Sequence, residues 1–228
     1  MIDLLFVGDG PRDKAILPPL VTRLLDEPVG GEFRHWAGLH QGGKGYRRKL
    51  LYAMGQTRLL RKKGLVAVVD RDKSGRGERF GELRLARDSV RADPLNVPTA
   101  IGEANPHAEA WLLDDPLAVR KGLDLPPSTP IPNVLDVHPK NALQVLYKKS
   151  PLGEADASAN KGAPSQQMPG SSANALKGHD VYTPALKTLA DIAKLVRIEQ
   201  CHHREETGFE TFANDVKSEL GPLRGKST

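Results

Sequence analysis

The sequence predicts an α/β fold: a mostly parallel sheet with helices on both faces, followed by a helical C-terminal part. Short runs of branched apolar residues, "IDLLFV" at 2–7 and "LVAVV" at 65–69, are ended by Gly or Asp and read as buried strands. Each is followed by a stretch whose apolar residues recur at helical spacing. Strands that alternate with helices build parallel sheets, in which ligands sit outside the carboxyl ends of the strands.

In chain order, the first helix spans 14–25, with Ile16, Leu17, Leu20, Leu24 and Leu25 as its apolar residues. A weaker strand pattern at 33–37 precedes a second helix at 45–63. "RFGELRLARDSV" at 79–90 makes a third helix and "NVPTAIG" at 96–102 a further strand. Beyond Gly102 the spacing is helical, over 107–115, 139–150, 183–199 and 209–220. The stretch 153–178 holds no aromatic and few large apolar residues, so it cannot offset its ordering entropy and reads as a mobile loop. The expected organisation is a catalytic-type domain at 1–150, a flexible loop at 151–180 and a helical extension at 181–228 that packs on the same domain.

A chain of 228 residues with 39% hydrophobic content is long enough for one sizeable core. No apolar run approaches the roughly 20 residues of a membrane span, and Asp3 and Asp9 argue against a signal peptide at the N-terminus. The expectation is a cytoplasmic protein with no membrane association. Its single cysteine, Cys201, suits a reducing compartment. The net charge of +5 is modest, yet 31–63 holds nine Lys or Arg and one acidic residue, Glu32. That run is either a phosphate-binding surface or a solvated helix face.

"GLVAVVDRDKSGRG" at 64–77 leaves a strand with Asp70 and Asp72 one residue apart. An EF-hand fails, because its position 12 falls on Gly81 and the preceding segment is no helix. A plain turn remains open. A second acidic pair, Asp9 and Asp13 in "VGDGPRDKAIL", leaves the first strand at the same sheet edge, although Asp13 could simply cap a helix. Four carboxylates at one edge repel each other. A hard divalent cation is the usual remedy, and two pairs suggest room for two ions.

"GLHQGGKG" at 38–45 begins like a Walker A loop but lacks its Ser or Thr, so it supports phosphate contact through Lys44, Arg47 and Arg48 without supporting ATP hydrolysis. "EQCHHREE" at 199–206 has no second ligand pair for zinc and reads as a helix end with a buried Cys.

Taken together, "FVGDGPRDKAILPPL", "GLVAVVDRDKSG", "NPHAEAWLLDDP" and "HPKNALQVLY" resemble the TOPRIM domain of OLD-type nucleases. The likeness is greatest to the small stand-alone bacterial members often encoded beside SMC-like or ABC-type ATPases in anti-phage gene sets. It covers roughly 1–149. The resemblance implies that Asp9, Asp13, Asp70, Asp72 and Glu109 are metal ligands and catalytic groups, and that Lys140 stabilises charge near the scissile phosphate. The family's first acidic position is usually Glu, and Asp9 is one methylene shorter.

The expected function is therefore Mg²⁺- or Mn²⁺-dependent hydrolysis of nucleic acid, DNA ahead of RNA, by a two-ion site with a partner ATPase. The basic run would hold the backbone without reading sequence. Two alternatives stand beside it: a weak or inactive TOPRIM subunit that binds a partner ATPase or nucleic acid, and a phosphatase or nucleotidyl hydrolase acting on a small molecule.

Overall fold

Four strands, β1 (Ile2–Gly8), β2 (Val29–His35), β3 (Gly64–Asp70) and β4 (Thr99–Ala104), pair side by side in parallel in the order β2-β1-β3-β4. The protein is described by a computed structural model over residues 1–39, 41, 43–71, 75, 77–93, 96–161 and 184–225. The helices are α1 (Pro11–Leu25), α2 (Tyr46–Leu59), α3 (Glu78–Ser89), α4 (Glu109–Leu113), α5 (Pro116–Gly122), α6 (Pro139–Lys148), α7 (Pro151–Lys161), α8 (Leu186–Ala193) and α9 (Phe209–Leu220).

The two-residue period of a strand explains why β1 and β3 are apolar throughout. Leu4, Phe6, Val66 and Val68 point into a core under α1, α4 to α6, α8 and α9, whereas Leu5, Val7, Leu65, Ala67 and Val69 point into a second core under α2 and α3. With both faces covered, alternation gives way to a continuous apolar run. No described helix is long and apolar enough to cross a membrane.

The C-terminal helix closes the β4 side of the sheet. A Cβ on Gly102 would lie 2.7 Å from Cδ2 of Phe212, so the glycine is what lets α9 lie against β4. Trp111 stacks on Phe209 and Phe212 at centroid distances of 5.5 and 4.8 Å, and its indole N–H donates to the Thr207 carbonyl at 2.8 Å. Beside this stack, Asp215 accepts the Ile101 N–H at 2.7 Å and pairs with Nη1 of Arg87.

Several sequence expectations need correction. The segment read as a loop begins as a helix, α7, over Pro151–Lys161, and 162–178 lies outside the described residues. Counting large apolar residues missed the helix propensity of Ala155, Ala157 and Ala159, and missed Ser150, whose hydroxyl accepts the Gly153 N–H at 3.1 Å. Tyr147 adds a hydrogen bond to Asp156. The strand placed at 33–37 is β2 and starts at Val29, and α5 was not foreseen.

Candidate functional site

The chain runs from β1 outward to β2 and then returns across β1 to β3, so the carboxyl ends of β1 and β3 flank a topological switch point. Asp9 follows β1 and Asp70 ends β3, and the Asp70 N–H donates to Oδ2 of Asp9 at 3.1 Å. Asp13 enters from the first turn of α1. Its Oδ2 accepts the N–H groups of Asp9 and Gly10 at 2.6 and 3.1 Å, which fixes the start of that helix. A Cβ on Gly8 would sit 2.8 Å from Cβ of Asp13, so this close approach depends on glycine. Glu109 is brought in by α4 and Lys140 by α6. Asp9, Asp13, Asp70, Glu109 and Lys140 all line one open cleft of about 590 Å³, with Arg12 beside them and Pro184, Ala185 and Leu186 on its apolar side.

Four carboxyl groups thus face two cations. Burial first, and then the charge of Asp70, push the Asp13 carboxyl up to about 7 against the opposing pull of the Asp9 N–H, with smaller upward contributions from Glu109 and Asp9. Asp70 is 7% exposed. Its Oδ2 lies 2.9 Å from Nδ1 of His107, and its Oδ1 is buried with no hydrogen-bond partner among the described residues. Glu109, 2% exposed, is held by Nη1 of Arg12 at 3.0 Å. A buried carboxylate oxygen with no partner carries an uncompensated desolvation cost.

Among the described residues, no three His, Cys, Asp or Glu side chains are arranged to hold a metal ion together. Asp72 lies outside the described residues. The donors nevertheless fit Mg²⁺, which keeps several waters and typically takes one or two carboxylates plus substrate phosphates. Asp70, with its orphaned Oδ1, and the adjoining Asp9 are such a pair. Asp13 and Glu109 are the less direct candidates, one occupied as a helix cap and the other by Arg12.

The basic run divides between the two edges of the sheet. Lys44, Arg47 and Arg48 are exposed at the start of α2, which follows β2 at the same carboxyl edge as Asp9 and Asp70. Lys62 lies at the opposite edge, paired with Asp3 at 3.1 Å and Glu32 at 3.3 Å, so it is bound within the fold. The N-terminus of α2 itself is met by Glu82, whose carboxylate accepts the Arg47 N–H at 3.0 Å, which puts a carboxylate where the sequence suggested a phosphate.

Two cleft neighbours were not singled out from sequence, Arg12 and His107. Each lies inside a quoted motif, "GDGPRDK" or "NPHAEAW", but partners 97 and 37 residues away give no spacing signal. Cys201 is buried, its thiol pushed up by burial and by Asp114, which accepts the His203 N–H. That cluster anchors the chain before α9. No family model, curated protein or solved structure matches this chain.

Proposed function

We propose that the protein is a Mg²⁺- or Mn²⁺-dependent nuclease of the TOPRIM type. The observation that carries the reading is that Oδ1 of Asp70 is buried with no hydrogen-bond partner among the described residues, in a side chain that lines one cleft with Asp9, Asp13, Glu109 and Lys140. Asp9 and Asp70 hold the cation, with Asp72, Asp13 and Glu109 as further acidic groups and room for a second ion. A bound divalent ion supplies Lewis acidity and an activated water. Lys140 offsets charge that builds on the phosphate, and Lys44, Arg47 and Arg48 hold the flanking backbone of the nucleic acid, DNA ahead of RNA. An open cleft with basic residues at the same sheet edge suits a polymer better than a small phosphate ester. A cytoplasmic setting belongs to the same reading, and a partner SMC- or ABC-type ATPase in anti-phage defence rests on the sequence resemblance.

A second reading, a weak or inactive subunit that binds a partner ATPase or nucleic acid, is favoured by the Arg12–Glu109 ion pair and the capping role of Asp13, which engage two of the acidic groups. Plasmid and RNA cleavage in a Mg²⁺ and Mn²⁺ series, with and without a neighbouring ATPase, separates the two. The nuclease reading expects metal-dependent cutting by the wild type and a loss of more than about 100-fold in Asp70→Asn, beyond what an outer partner of a ligand costs. Cleavage by Asp70→Asn at the wild-type rate would refute it.

A further inference from the structure

His107 lies in the connection from β4 to α4, 8% exposed, with its carbonyl accepting the Ala110 N–H at 2.9 Å. His138 packs against it at a centroid distance of 5.4 Å. An ionised carboxylate can only accept, so the 2.9 Å contact between Nδ1 of His107 and Oδ2 of Asp70 requires the proton on Nδ1. The two oxygens of Asp70 are therefore inequivalent. One is committed to the imidazole, and the other is buried with no hydrogen-bond partner among the described residues. Carboxylates that ligate metals are oriented by such outer hydrogen bonds.

We propose that His107 is a positioning residue that holds Oδ2 of Asp70, so that Oδ1 alone is offered to a divalent cation and small octahedral ions, Mg²⁺ and Mn²⁺, are preferred over Ca²⁺. Mg²⁺ demands near-ideal octahedral geometry, whereas Ca²⁺ takes more oxygens and accepts carboxylates through both. Withdrawing one oxygen of Asp70 penalises Ca²⁺ more. The inference rests on the metal reading above but concerns only how one side chain is held.

Direct Mn²⁺ titration by electron paramagnetic resonance, with Ca²⁺ competition, tests it on the full-length chain and on His107→Ala, His107→Asn and His107→Gln. An Asn amide N–H reaches the position of Nδ1, while that of Gln extends to the position of Nε2. The expected result is Mn²⁺ binding about 10- to 100-fold weaker in His107→Ala and His107→Gln, with a narrowed preference over Ca²⁺. His107→Asn should recover most of both. Comparing the two amide variants keeps the test decisive if the Ala variant folds poorly. A merely structural bond would lower the melting temperature of the variants and leave the ion preference unchanged, and that result overturns the proposal. Equal behaviour of the Asn and Gln variants overturns it too. Wild type that binds no Mn²⁺ sinks the metal reading and this inference with it, whereas wild type that binds alongside an unaffected His107→Ala sinks this inference alone.

Discussion

Asp215 on α9 and Asp70 at the end of β3 both carry a carboxylate into the interior, with side chains 16% and 10% exposed, and they meet different surroundings. Asp215 takes the Arg87 guanidinium on both oxygens, at 2.8 and 2.7 Å, and the Ile101 N–H as well. Asp70 shares one oxygen with His107, leaves the other without a hydrogen-bond partner among the described residues, and lines the cleft together with Asp9, Asp13 and Glu109. The first region neutralises its charge within the fold and serves stability. The second lacks comparable compensation, and a cluster held at that cost is where an external cation has most to offer.

The comparison breaks most visibly if the paired region proves dispensable. Arg87→Ala leaves Asp215 against β4 without its cation, and breaking a buried pair from one side costs about 3–5 kcal/mol. Urea denaturation should show that loss. A change below about 1 kcal/mol would mean that Asp215 is as loosely compensated as Asp70.

A smaller effect of opposite sign is expected from the cleft. Asp13 keeps its proton in the folded chain up to a pH of about 7, against a value of 3.8 for the free side chain. Between those values the folded state binds the extra proton, so this group makes metal-free stability fall as pH rises from about 4 to about 7, by at most about 4 kcal/mol. Asp13→Asn removes the charge while retaining an oxygen for the α1 cap. Denaturation in chelator at about pH 5 and about pH 8 should show the variant gaining on wild type at the higher pH. Equal pH profiles would put Asp13 outside the repulsive cluster.

The sheet was legible because β1 and β3 announce themselves as apolar runs, and α9 because Phe209, Phe212, Val216 and Leu220 keep one face of a helix. Edge strand β2 was half visible, since Gly30 and Gly31 interrupt its apolar pattern. The acidic positions of the cleft were legible from strand ends and motif order. Their partners were not, because Arg12 reaches Glu109, and His107 reaches Asp70, only once α4 is folded against the sheet edge. The split of the basic run was hidden for a related reason. A helix of the length of α2 carries its two ends about 20 Å apart, so charges continuous in sequence lie at opposite edges.

The most direct test of an uncompensated cleft is thermal unfolding of wild type and Asp70→Asn at neutral pH, in chelator and in millimolar Mg²⁺ or Mn²⁺. Ligand that binds only the folded state adds about 2.7 kcal/mol when present at 100 times its Kd. The account predicts that the ions raise the melting temperature of wild type, that Asp70→Asn does not respond, and that in chelator the variant melts no lower than wild type. A wild type indifferent to both ions, or a variant that responds equally, would contradict it.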